Sequence, residues 1–427
     1  MNADGLVFGT DYPTEHGPLH SNVNFASGYC FHPTLSVGPI ELYLNDRHQG
    51  TALQGYPRAD VGEKFPAGGH RSLHSGFQCF FDSAALVQGL NRLDFHVQLD
   101  AKPLRLIRLV CRFETAAPWV SDVFVDIVGP CNLRCAMCPQ GTLEGTRGER
   151  GRGFMPVEVF RRVLACLRAA GYAGESVNLY NWGDPLLHPA LGSILDACTE
   201  NGYVPIVSTN LSFPQARVQS LTEHDIGLLL VSISGFSQNT YARNHVGGDF
   251  TLIRQNLDLL RRHRGRVRAI VLKYLVFRFN RDDIGRARSF AHEAGFEFGA
   301  YLGAIPSAES FARYQTDSSY RQAVDEHIVP GSLAARATKF CPQSAAISIN
   351  HHAELDRCCV SWGSDRRVSV FEANLKEHLE QKTSSSFCTR CLASGYSYYK
   401  HFGIVRSDLL QQRVSQDLNR VQRPESR

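Results

Sequence analysis

Residues Cys131-Asn132-Leu133-Arg134-Cys135-Ala136-Met137-Cys138 carry three cysteines in a CxxxCxxC spacing, directly after the apolar run Val123-Phe124-Val125-Asp126-Ile127-Val128. Three thiolates on one short loop can hold three irons of a four-iron, four-sulfur cluster and leave the fourth iron without a protein ligand. An open iron is a place to bind and reduce another molecule. Electron-transfer clusters normally take four cysteines, so three on a loop closed by Pro139 point to a cluster that does chemistry. The competing readings are a zinc site or three buried thiols, although zinc loops usually pair one CxxC with a second.

The chain has 427 residues, enough for two or three domains with ample core. Apolar residues make up 43% and charged residues 20%, ordinary for a soluble globular protein. No stretch approaches 18 uncharged apolar residues, and Met1-Asn2-Ala3-Asp4-Gly5 lacks the regions of a signal peptide, so a cytoplasmic protein without a membrane span is expected. Thirteen cysteines, an odd number, fit reduced thiols and metal ligands better than a disulfide framework. A net charge of +4 gives no signal of a nucleic-acid partner. The basic run Arg261, Arg262, His263, Arg264, Arg266 and Arg268 sits at a predicted helix C-terminus, where cations complement the dipole, and reads as a solvated helix end.

Working outward from the cysteine loop, three textures appear. Residues 1–117 are rich in Gly and Pro with short alternating runs, such as Ile40-Glu41-Leu42-Tyr43-Leu44 and Leu93-Asp94-Phe95-His96-Val97, and predict a small antiparallel β-sandwich. Residues 118–305 alternate strand and helix patterns. Strands are expected at 176–180, 203–208, 227–233, 267–276 and 296–302, with helices at 155–170, 189–200, 215–223, 250–264 and 281–294. Strict alternation means a parallel sheet with right-handed crossovers, and the strand before the cysteines makes six βα units. Residues 306–400 lose the alternation and hold Cys341, Cys358, Cys359, Cys388 and Cys391. Residues 401–427 form a polar, helix-prone tail whose last residues are expected to be disordered.

The cysteine loop, its place after the first strand, and Asn181-Trp182-Gly183-Asp184-Pro185 after the second resemble the radical S-adenosylmethionine (SAM) enzymes. The resemblance covers about residues 120–395 and implies an α/β fold: a partial (β/α)6 barrel, here with an N-terminal β-sandwich and a small C-terminal auxiliary-cluster domain. It implies that Cys131, Cys135 and Cys138 hold the cluster, that SAM chelates the open iron, and that one electron cleaves SAM to methionine and a 5′-deoxyadenosyl radical. A flavodoxin or ferredoxin-type donor would supply that electron. Gly183 and Asp184 match the family's SAM-amine segment, with Trp182 in place of its first glycine and Asp184 in place of its glutamate. Asn210, Ser232 and Ser234, at strand ends, match positions that contact the ribose and carboxylate of SAM. Met137 stands where the family usually has an aromatic residue and would meet the adenine through its backbone. Lys273, a charge inside the apolar strand 270–277, must face the barrel mouth or a partner, and can hold the SAM carboxylate or a substrate anion.

Cys341, one of Cys358 and Cys359, and Cys388-Thr389-Arg390-Cys391 are similar to the twitch domain, a shortened relative of the SPASM domain, which implies one fully ligated auxiliary four-iron cluster. Zinc, with His351 or His352, is the alternative. Cys30, Cys79, Cys111, Cys166 and Cys198 read as small buried hydrophobes. The expected function is hydrogen-atom abstraction from a substrate carbon, completed as an oxidation when the auxiliary cluster takes the substrate electron. The resemblance to twitch-domain dehydrogenases suggests a small polar, carbohydrate-like or cyclitol-like substrate. Three other outcomes stay open: a peptide-modifying maturase, an epimerase in which Cys358 or Cys359 returns a hydrogen atom, and a non-catalytic iron-sulfur or zinc module.

Overall fold

The computed structural model describes residues 5–20, 23–56, 58–100, 105–114, 120, 122–142, 153–172, 176–329, 341–361, 368–382 and 384–398. The expected tail at 401–427 lies outside them. The chain divides into two compact units: Met1–Trp119 with Ala335–Ala345 and Leu379–Arg406, and Val120–Ala334 with Ala346–His378 and Ser407–Arg427.

Among the described residues the first unit has nine strands: β1 (Val7–Tyr12), β2 (Pro18–His20), β3 (Phe25–Phe31), β4 (Val37–Leu44), β5 (Arg47–Thr51), β6 (Leu53–Tyr56), β7 (Gly76–Phe80), β8 (Gly89–Leu99) and β9 (Arg105–Glu114). They form a four-stranded sheet in the order β1-β3-β7-β6 and a five-stranded sheet in the order β2-β9-β8-β4-β5. Period-two alternation sends Leu93, Phe95, Val97 and Leu99 of β8 and Ile40, Leu42 and Leu44 of β4 to one side. There they meet Phe25, Phe77 and Cys79 of the other sheet in one shared core. Complete burial of each such side chain contributes about 1.5 to 3 kcal/mol, so this layer is the sandwich that the alternating runs predicted. Cys30, Cys79 and Cys111 are buried here as apolar filling.

The second unit carries the parallel sheet. Strands β10 (Asp122–Val125), β11 (Ser176–Asn178), β12 (Val204–Thr209), β13 (Ile226–Ile233), β14 (Val267–Val276) and β15 (Glu297–Leu302) lie side by side in chain order, each parallel to the next. The helices between them include Val157–Ala169, Leu191–Glu200, Gln215–Leu221, Phe250–Arg262 and Ile284–Ala294. The first buries Phe160, Val163, Leu164 and Leu167, the face its periodicity marked out. Its Cys166 is partly exposed and not, as expected, a buried filler, because it lies off that face. Six parallel strands in order with interleaved helices form the partial (β/α)6 arrangement. In β14, Ile270, Leu272, Tyr274 and Val276 are buried while Ala269, Val271, Lys273 and Leu275 alternate with them and stay half-exposed.

Strand β16 (Ala346–Ile349) pairs parallel with β10, and β17 (Glu354–Asp356) and β18 (Val368–Ser369) extend the same sheet antiparallel, giving nine strands. This pairing covers the edge of β10, whose amides and carbonyls would otherwise lack ladder partners. The contact extends past the strand, where the Asp126 amide donates to the Ile349 carbonyl at 2.8 Å.

Candidate active site

The cysteine loop follows β10, at the C-terminal end of a parallel strand where such sheets place their chemistry. Three other segments enclose it. After β11, the amides of Trp182 and Gly183 donate to the buried Asp126 carboxylate at 3.1 and 3.4 Å. The Asp184 amide donates to the Pro130 carbonyl at 3.1 Å. Gln140, just past the third cysteine, donates through Nε2 to the carbonyls of Gly129 at 2.7 Å and Trp182 at 3.5 Å. The approach is so close that a Cβ on Gly183 would stand 1.9 Å from the Val128 carbonyl oxygen, so only glycine fits.

After β12, Asn210 Nδ2 donates to Asn132 Oδ1 at 2.8 Å and lies 3.8 Å from the Cys131 sulfur, while Asn132 Nδ2 donates to the Ser212 carbonyl at 2.8 Å. After β13, the amides of Arg134 and Ala136 donate to the carbonyls of Val246 and Asn244 at 2.9 and 2.8 Å. The loop is thus held by backbone and amide bonds.

Electrostatics tie those thiols together. Burial pushes Cys131 up to about 12, with the charges of Asp184 and Cys138 adding to it. Burial likewise raises Cys135 well above the usual thiol value, reinforced by Cys138 and Cys131. Cys138 is raised to about 11 by burial, with Asp126 adding to it and the amides of Gln140 and Gly141 opposing. Such thiols ionise when a cation shares the site. Among the described residues no three His, Cys, Asp or Glu side chains stand close enough to hold one ion. A four-iron cluster asks less convergence than that, since each thiolate binds a separate iron. Three soft donors on one hydrogen-bonded loop therefore fit such a cluster.

The remaining candidates separate. Met137 is buried within the loop. The Asp184 carboxylate is buried, 4% exposed, and engaged within the chain. It accepts the Leu186 amide at 3.0 Å, the Thr209 hydroxyl at 3.0 Å and the Asn210 amide at 2.9 Å, so its shorter arm braces the ends of β11 and β12. Burial lifts it to about 6 against those three bonds. Ser234 is fully buried, its Oγ 2.6 Å from His245 Nδ1. Ser232 is half-exposed and stands in register with Lys273, whose Nζ lies 5.4 Å from the Tyr301 ring centre. Asp126, Asn132, Gln140 and the segment 241–248 were not singled out from sequence. Asp126 alone offered a signal, as the one charge in the run 123–128.

Of the C-terminal cysteines, Cys341, Cys388 and Cys391 belong to the first unit, the latter two three residues apart on one face of the helix Ser386–Ala393. Cys358 and Cys359 belong to the second unit. Oriented as its surroundings require, the Asn181 carboxamide donates to the Cys359 carbonyl at 3.0 Å and accepts the Trp182 indole Nε1 at 3.1 Å.

Residues 125–291 match the family model of the Radical SAM superfamily. Comparison with curated protein sequences gives no match. Among solved structures, the chain is similar to Streptococcus suis SuiB bound to S-adenosylmethionine, at 13% identity and a TM-score of 0.46 over 66% of this chain and 74% of that one. It is similar to BtrN in complex with AdoMet and 2-DOIA, at 18% identity and a TM-score of 0.40 over 66% and 89%. A third is anSMEcpe with bound AdoMet and Cp18Cys peptide, at 12% identity and a TM-score of 0.45 over 71% and 99%. No helix among the described residues is long and apolar enough to cross a membrane. The family match, beginning at the end of β10 and spanning the cysteine loop and the strands that enclose it, gives this chain a Radical SAM domain over residues 125–291.

Proposed function

We propose that Cys131, Cys135 and Cys138 hold a SAM-binding four-iron cluster, and that the enzyme oxidises a carbon of a small polar, carbohydrate-like or cyclitol-like substrate. Cys341, Cys388, Cys391 and one of Cys358 and Cys359 hold an auxiliary cluster in this reading. Cys131, Cys135 and Cys138 would hold the cluster at which SAM supplies hydrogen-atom abstraction chemistry, and the C-terminal cysteines would hold the acceptor for the substrate's remaining electron, with a proton released to solvent.

The observation that carries the reading is the bond from Asn181 to the Cys359 carbonyl. Asn181 begins the same Asn-Trp-Gly-Asp segment whose next two amides grip Asp126 and whose fourth grips Pro130. One C-terminal cysteine station is thereby tied to the loop that encloses the first three, as an electron acceptor near the reacting carbon requires. The chain's other residues orient and enclose. Lys273, set among half-exposed apolar neighbours beside Tyr301, offers a cation to an anionic or hydroxyl-rich ligand. Tyr301, 38% exposed, offers the flat apolar face on which a sugar or cyclitol ring can rest.

Iron and sulfide analysis tests the reading. Anaerobically prepared protein should hold about eight irons, four at each site, and the variant with Ala at 131, 135 and 138 should keep about four. Stoichiometric zinc without sulfide in that variant removes the auxiliary cluster and the oxidation with it, leaving a redox-neutral outcome such as epimerisation.

A further inference from the structure

Gly299 stands in the middle of β15, in one register row with Lys273 of β14 and Ser232 of β13. Glycine is a poor strand former, and inside a strand it commonly marks a place where another group comes close. Here that group is Tyr301, two residues on and on the same face of the sheet. The alternate residue Phe298 faces the other way, where Arg288 of the helix Ile284–Ala294 lies 5.7 Å from its ring centre.

A Cβ at Gly299 would stand 2.6 Å from Tyr301 Cε2 and 3.1 Å from the phenol oxygen. The ring is therefore folded back along β15, into the room that a side chain at 299 would fill. Its cover accounts for the burial of Gly299 beside an exposed Tyr301. The Lys273 ammonium stands 5.4 Å from the ring centre, and Ser232 follows it in the row. One half-exposed face thus offers a ring laid along the sheet, a cation and a hydroxyl. A polyhydroxylated saturated ring presents the matching chemistry: axial C–H groups for the aromatic face and hydroxyls around its rim.

We propose that Gly299 is a specificity-determining position. Lacking a side chain, it lets Tyr301 lie back beside Lys273 as a shelf that accepts a saturated ring with a flat C–H face and discriminates against open-chain polyols. This rests on the reading of the substrate as carbohydrate-like or cyclitol-like. Gly299 acts through Tyr301 and is a positioning residue.

Gly299→Ala separates this role from a structural one. The atoms it displaces are the far end of an exposed side chain, so the ring moves aside, and the thermal midpoint should stay at or above the wild-type value. Saturation-transfer difference NMR on the anaerobically reconstituted full chain with SAM, titrated with scyllo-inositol and with sorbitol, reads the shelf. Both probes carry six carbons and six hydroxyls, and only scyllo-inositol has a ring of axial C–H groups. The wild type should prefer scyllo-inositol by roughly two- to tenfold, the range of one aromatic contact. Tyr301→Phe should keep the preference. Gly299→Ala and Tyr301→Ala should each lose it, and the double variant should lose no more than Tyr301→Ala alone.

A wild type that binds neither probe, or both alike, overturns the proposal, as does a Gly299→Ala protein that keeps the preference. Should Gly299→Ala lower the thermal midpoint, the contrast between Tyr301→Phe and Tyr301→Ala decides alone. Formation of 5′-deoxyadenosine by the same wild-type preparation tests the first cluster separately: its absence overturns the proposed function, and its presence without a ring preference overturns only the shelf.

Discussion

Asp126 and Trp182 are joined by a bond between a buried carboxylate and a backbone amide, 3.1 Å long, from the end of the first parallel strand to the loop after the second. The bond makes the two sequence signatures of this site one rigid unit: the cysteine loop begins five residues after Asp126, and the enclosing turn begins at Asn181.

Replacing Asp126 by Ala should therefore destabilise the chain by roughly 1 to 3 kcal/mol, since the partly buried amides of Trp182 and Gly183 lose a charged acceptor. Asp126→Asn keeps one acceptor oxygen and should lose about half as much. Urea denaturation of the three proteins compares them; equal midpoints would mean that the two amides find other partners.

Gly183→Ala forces a methyl to within 1.9 Å of the Val128 carbonyl, so backbone must move. The expected cost is about 1 to 3 kcal/mol or more, with a lower iron content after reconstitution. Gly285→Ala is the control: a Cβ there meets nothing within 4 Å, in the helix Ile284–Ala294, and should be neutral or stabilise by up to about 1 kcal/mol.

Burial raises the Asp184 carboxyl to about 6, above the 3.8 of an exposed aspartate. Between those values the folded chain keeps a proton that the unfolded chain has released. The contribution of this group to stability is fully present below about pH 4 and is lost as pH rises through 6. Asp184→Asn, which cannot ionise, should flatten the wild-type decline between pH 4 and 6; parallel curves for the two proteins would show that the three donors keep Asp184 ionised.

Ser234→Ala leaves the buried His245 Nδ1 without its 2.6 Å partner. His245 is held neutral by burial, with its value pushed down to about 3. A loss of about 1 to 3 kcal/mol in thermal denaturation is expected. SAM affinity of the folded variant should match the wild type, and a large drop would place Ser234 in the ligand-binding set.

The barrel was legible because its periods are local. The strand expected at 267–276 is Val267–Val276, and the helix expected at 250–264 is Phe250–Arg262. Helix 281–294 was read one turn too long, since Arg281–Asp283 form a separate tight turn whose Asp283 carboxylate accepts the Phe236 amide at 3.0 Å. Ser232 and Ser234 looked equivalent on a period of two, but β13 ends at Ile233 and alternation stops with it. The pairing of β16 with β10 joins residues far apart in the chain, and no local pattern encodes such a partner. Asp184 was matched by its place in a motif, whereas its bonds depend on how β11 and β12 end side by side.

The central claim is that SAM is cleaved at the cysteine loop. Anaerobically reconstituted protein, given SAM and a strong one-electron reductant, should form 5′-deoxyadenosine, and the variant with Ala at 131, 135 and 138 should form none above the rate without protein. Undiminished 5′-deoxyadenosine from that variant would contradict the account.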